Sequence, residues 1–194
     1  MPNPLRVLHL EDSPRDADVI RHKLDVEGVS CDITLVTTKD GFEGALTREL
    51  FDLVLCDYNL PGYDGVTALT YAQQVRPDVP VILISGTVGD EEAVRCLQLG
   101  ATDYLLKDRL ERLGSAVNRA IQETEARRTC RWADAQRERL AALVDASPDF
   151  IGYADPKTTQ ILYINKGGKN MCGIAEDEDI ATLTLGDVHP AWMI

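Results

Sequence analysis

The chain has 194 residues, a formal net charge of −12, 44% hydrophobic and 6% aromatic residues, which fits one ordinary domain plus a piece of another, with apolar residues enough for a real core. The acidic balance argues against the basic stripe of a nucleic-acid-binding surface and against non-specific attraction to anionic membranes. Five dispersed cysteines without a CxxC pattern, a terminus that lacks signal-peptide regions, and no apolar run near the ~20 residues that span a bilayer point to a soluble cytoplasmic protein with reduced thiols.

Leu5–Leu10 reads as a first strand ending in Glu11-Asp12. Ser13-Pro14 then supplies a helix N-cap and a proline at the first helical position, with Asp16 in the first turn, Ala17, Ile20 and Leu24 on one face, and a stop near Gly28. Cys31–Val36 alternates as an edge strand does, and Thr38 can cap a helix holding Phe42, Ala45, Leu46 and Leu50. Leu53-Val54-Leu55-Cys56 is a strand buried on both faces that ends in Asp57, before Leu60-Pro61-Gly62 turns the chain. A helix runs from Gly65 to Val75, and Val81–Ile84 is a fourth buried strand closing on Ser85-Gly86-Thr87. Asp90-Glu91-Glu92 favours a helix start that carries Ala93, Val94, Leu97 and Leu99 to a Gly100 cap, and Asp103–Leu106 is a fifth strand ending in Lys107. Five strand–helix alternations predict a parallel, doubly wound α/β sheet.

From Arg109 the pattern turns helical. Leu110, Leu113, Val117 and Ile121 recur at coiled-coil spacing, and Leu140, Leu143 and Val144 resume it after a polar middle at Arg127-Arg128. A continuous helix into a dimerising linker is the preferred reading, with a packing helix followed by a loop as the alternative. Ala146–Asp149 breaks the helix. Phe150–Ala154 and Ile161–Asn165 read as two strands, followed by a short helix. Roughly fifty residues bury little core alone, so the tail reads as the first part of an α+β domain.

Strands one, three, four and five deliver Glu11-Asp12, Asp57, Ser85 and Lys107 to one sheet edge, where ligands of such folds bind. Asp57 is thus either a paired structural acid or a reactive group. Crowded carboxylates repel one another unless cations intervene. Lys107 supplies one charge, and a hard divalent ion such as Mg²⁺ (or Mn²⁺) suits the rest. A carboxylate so held can attack phosphorus to form an aspartyl phosphate. Ser85 can donate to a phosphoryl oxygen, and Gly86 leaves room for it.

These residues resemble the receiver domain of two-component response regulators over residues 4–125. The resemblance implies a flavodoxin-like sheet of order 2-1-3-4-5. It implies Asp57 as the phosphoacceptor, Asp12 as a direct Mg²⁺ ligand, Glu11 acting through water, and the Asn59 backbone carbonyl as a further ligand. It also makes Ser85 the switch hydroxyl, Tyr104 the switch aromatic and Lys107 the charge-neutralising lysine. The partner implied is a histidine kinase or phosphotransfer protein, in a phosphorelay where the receiver catalyses its own phosphorylation and dephosphorylation. Proline often follows the lysine in this family, on a cis peptide. This chain has Asp108, so a trans bond is expected. Residues 126–145 would form the linker helix and homodimer contact, relaying a conformational change. Residues 146–194 resemble the N-terminal part of a PAS domain through Ser147-Pro148-Asp149-Phe150-Ile151, Ile161–Asn165 and Asp187-Val188-His189-Pro190, with the closing strands lying beyond Ile194.

Blander readings stand beside these. A lone strand-end acid is more often a turn or cap residue, but the five positions together favour the functional reading. Tyr104 is core or switch. His9, His22 and His189 show no ligand spacing. Cys56 should pack inward. Glu176–Asp179 reads as a solvated loop. A phosphorylation-independent interaction module, and a PAS-centred small-molecule sensor with an accessory receiver, are the rival functions.

Overall fold

Short apolar runs become strands wherever helix caps stop the intervening segments. A computed structural model describes residues 3–86 and 89–188 (of Asp90, the backbone alone). The order is β1 (Leu5–Leu10), α1 (Pro14–Val26), β2 (Cys31–Val36), α2 (Lys39–Arg48), β3 (Leu53–Asp57), α3 (Gly65–Val75), β4 (Val81–Ser85), α4 (Asp90–Gln98) and β5 (Asp103–Leu106). A single 3₁₀ turn, Leu110–Arg112, leads into the long helix α5 (Leu113–Ala146). The five strands are parallel in the order β2-β1-β3-β4-β5, the flavodoxin-like arrangement that the family resemblance implies.

The Ser13 and Thr38 caps are those expected from the sequence, and Asp64 adds a third that was not read there. Ser13 accepts from the Asp16 N–H, Thr38 from Gly41 and Asp64 from Thr67. Gly28, Gly62 and Gly100 take positive φ where the chain turns.

Period-two alternation divides the core into two layers. Val7, Leu53, Leu55, Ile82 and Ile84 face Ile20 and Leu24 of α1 and Leu113 and Val117 of α5. Leu8, Leu10, Val54, Cys56 and Leu83 face Phe42, Leu46, Leu69 and Ala72 of α2 and α3. The side chains of β3 and β4 are buried throughout, hence their unbroken apolar runs. Cys56 packs inward as expected and is wholly buried.

Two expectations are modified. Leu50 lies past the end of α2, because the C-cap Glu49 is extended (φ −123, ψ 163), and it is exposed. Leu110, Leu113 and Val117 are buried in the sheet core, so their helical spacing reflects packing on the sheet rather than a coiled-coil seam.

The chain divides into two compact units at Thr129/Cys130. In the second, β6 (Gly152–Ala154) and β7 (Ile161–Ile164) pair antiparallel, and α6 (Lys166–Cys172) follows. Ile161, Ile164 and Val188 form its small core. Asn165 is its fully buried polar hub: Nδ2 donates to the carbonyls of Val144, Ser147 and Asp149, and Oδ1 accepts from Ile151 and Gly168. Glu176–Asp179 is exposed, with Glu176 paired to Lys166. The expectations for Thr87, His189 and Pro190 lie outside the described residues.

Candidate functional site

Strand parity assembles the site. Glu11 continues the Val7, His9 series of β1, Asp57 the Leu53, Leu55 series of β3, and Lys107 follows Leu105, so all three project from the sheet face that α1 covers. Ser85 and Tyr104 belong to the opposite parity. The Tyr104 ring meets Tyr58 edge-on at 6.1 Å.

Lys107 is the centre of the cluster. Its Nζ donates to Glu11 Oε2 at 2.9 Å, Asp57 Oδ2 at 2.8 Å and Asp16 Oδ2 at 2.6 Å. The other oxygens are placed by backbone: the Asn59 N–H donates to Asp57 Oδ1 at 3.1 Å, and the Ser13 N–H to Glu11 Oε1 at 3.1 Å. The Leu60–Asp64 turn folds back over this end, and the Gly65 N–H donates to the Tyr58 carbonyl. A Cβ at Gly65 would lie 2.8 Å from Tyr58 Cα and 3.1 Å from the Asp57 carbonyl oxygen, so only glycine admits this approach.

Electrostatics follow from burial. Glu11 is almost fully buried, and burial pushes its pKa up against the bonds from Lys107 and Ser13. For Lys107 burial works against the charge, but the bonds to Asp16, Asp57 and Glu11 outweigh it and hold its pKa above the ordinary lysine value. His9, one pleat below Glu11, is buried with an unpartnered Nε2. Its pKa falls to about 4, chiefly through burial, with the Lys107 ammonium adding to the effect.

Carboxylate oxygens of Glu11, Asp12 and Asp57 lie within 4.8 Å of one another. Three hard oxygen donors at that spacing fit a Mg²⁺-sized ion. Asp12 is exposed beside its two buried partners, which leaves the cluster open to solvent on one side. A Cβ at Gly86 would meet nothing within 4 Å, so there is space beside Ser85. The Lys107–Asp108 peptide is trans, as expected.

Glu11, Asp12, Asp57, Asn59, Ser85 and Lys107 thus fall at the carboxyl edge of the sheet, whereas Tyr104 lies inside β5, opposite Leu83 of β4. Asp16 was read from sequence only as a first-turn helix acid, yet it is a direct partner of Lys107. Its place four residues after Asp12, at the mouth of the same edge, was the available signal. A recess of about 560 Å³ lined by Leu5, Arg6, Asp32 and Asp52 lies at the other end of the strands and holds none of these groups.

Fold and site together define a doubly wound α/β domain with a lysine-pinned acidic cluster at its carboxyl edge. The chain belongs to the response regulator receiver domain family, which matches residues 7–118. It is 30% identical over 136 residues to the transcriptional regulatory protein GlrR of Escherichia coli K12, covering 68% of this chain and 30% of that protein. It is 32% identical over 139 residues to the DNA-binding transcriptional regulator NtrC of Klebsiella pneumoniae, covering 70% of this chain and 27% of that protein. The chain therefore spans less than a third of these two relatives. Among solved structures it is similar to the Francisella response regulator 1452 receiver domain, with TM-score 0.56, 26% identity, and coverage of 63% of this chain and 99% of that one. It is likewise similar to the beryllofluoride-activated NtrC4 receiver domain dimer, with TM-score 0.56, 26% identity, and coverage of 61% and 98%.

Proposed function

We propose that Asp57 accepts a phosphoryl group from the phosphohistidine of a histidine kinase or phosphotransfer protein, and that the resulting change passes along α5 to an output region. A carboxylate oxygen of Asp57 attacks phosphorus, the P–N bond breaks, and the imidazole leaves with the bonding electrons and takes up a proton. Membership of the receiver family supports this reading, and one observation carries it: Asp57 stands at a strand end within reach of Lys107, Glu11 and Asp12. Lys107 places a positive charge where the phosphoryl oxygens gather, and Ser85 offers a hydroxyl from the neighbouring strand. Asp12 and Asp57, Glu11 through water, and the Asn59 carbonyl would hold Mg²⁺, which supplies further charge neutralisation. Tyr104, on the same sheet face as Ser85 in the adjoining strand, would report the switch on the α4–β5–α5 side. Asp57→Asn should abolish beryllofluoride binding measured by calorimetry in the presence of Mg²⁺. Undiminished binding in that variant would remove Asp57 from the role.

The second unit is read as the beginning of a PAS domain and the middle of α5 as a dimerising linker. Supporting this, α5 is one uninterrupted helix of 34 residues, and Trp132, Leu140 and Leu143 are exposed on it. No described helix is long and apolar enough to cross a membrane, which suits a cytoplasmic signalling protein.

A further inference from the structure

Lys107 has three ammonium protons, and three carboxylates take them. Two of those acids are locked in the site: the side chains of Glu11 and Asp57 are 0% and 6% exposed, whereas that of Asp16 is 37% exposed at the rim. Asp16 comes from α1 rather than from a strand end, fixed in the first turn behind Ser13-Pro14. We propose that Asp16 is a positioning residue that holds Lys107 in the unphosphorylated protein and opposes its engagement with a phosphoryl group on Asp57. The inference rests on Asp57 being the phosphoacceptor.

Once Asp57 is phosphorylated its carboxyl loses its charge, and the strongest acceptor near the ammonium becomes a phosphoryl oxygen lying beyond the former carboxylate oxygen. Lysine must follow it. Of the remaining acids, Asp16 is the one that water can re-solvate at least cost, so its bond is the one to yield. Its negative charge also faces an incoming dianion. Competition and repulsion therefore share a sign, and both disfavour the phosphoryl-bearing state. Toward a metal ion the sign reverses, because Asp16 offsets the repulsion between Lys107 and a divalent cation in the Glu11–Asp12–Asp57 cluster.

Two calorimetric titrations on the whole chain separate these effects: Mg²⁺ into the unliganded protein, and beryllofluoride into the Mg²⁺-saturated protein. Asp16→Asn should weaken Mg²⁺ by about threefold and tighten beryllofluoride by about threefold, while Asp16→Glu, which keeps the charge, stays within about twofold of wild type on both. A merely structural role would weaken both ligands together. Parallel weakening, no change in Asp16→Asn, or the same pattern in Asp16→Glu overturns the assignment to Asp16. Failure of the wild-type chain to bind beryllofluoride overturns the Asp57 reading and this inference with it.

Discussion

Lys107 is where the site's charges are balanced, and removing it exposes how finely. Lys107→Met leaves Glu11 and Asp57 buried without their cation, which should cost about 3 kcal/mol in urea unfolding with chelator present. Saturating Mg²⁺ should restore part of that loss, since a second cation replaces the first; equal loss with and without Mg²⁺ would contradict the charge-balance argument. His9 makes a separate pH prediction. The imidazole titrates at 6.5 in the unfolded chain and at about 4 in the folded one, so the unfolded state binds more protons between those values. Its contribution is fully present above pH 6.5 and should fall by about 1.4 kcal/mol per pH unit as the pH drops toward 4. His9→Leu should flatten that slope in urea midpoints measured across the window, and an unchanged slope would place the titration elsewhere.

At the scale of elements, the turn after β3 and the start of α6 are two places where a single residue fixes the geometry. Gly65→Ala would push a methyl group against Tyr58 Cα at 2.8 Å, shifting the start of α3 and the end of β3 together. A loss of about 2 kcal/mol is expected by thermal or urea unfolding. Asn165→Ala removes a partner from three carbonyls and two N–H groups that meet at one buried side chain, although the Val144 carbonyl keeps the Ser147 N–H. Several kcal/mol are at stake, and faster hydrogen exchange confined to residues near 144–170 would be the signature. Elements were also where the sequence was most legible. Ser13, Thr38 and the Leu53–Cys56 run marked their boundaries because capping and double-sided burial are local physics. Leu50, Val94, Leu97 and Leu99 were not legible in the same way. Helical spacing identifies an apolar stripe without saying what covers it, and all four are exposed here, with Cys96 instead the buried residue among those described in α4. Asp16 escaped for a related reason: a first-turn acid satisfies the helix dipole, and only the folded arrangement reveals a lysine 91 positions away.

The whole molecule pairs a receiver unit with a second, smaller unit reached through α5. Leu110, Leu113 and Val117 belong to the receiver core, so a dimer through the linker must use the exposed residues further along, Trp132, Leu140 and Leu143. A double Leu140→Glu, Leu143→Glu variant should sediment as a monomer at concentrations where the wild type is a dimer, and a wild type that is monomeric throughout would refute the linker contact. The carboxyl edge of the sheet was readable as a site because topology alone brings strand ends together, whatever the intervening sequence. The role of Asp57 is decided by where phosphorus goes. Treating the chain with a small-molecule phosphodonor and Mg²⁺, then mapping the modified peptide by mass spectrometry, should place a single phosphoryl group on Asp57; an unmodified chain, or a label on any other residue, would contradict it.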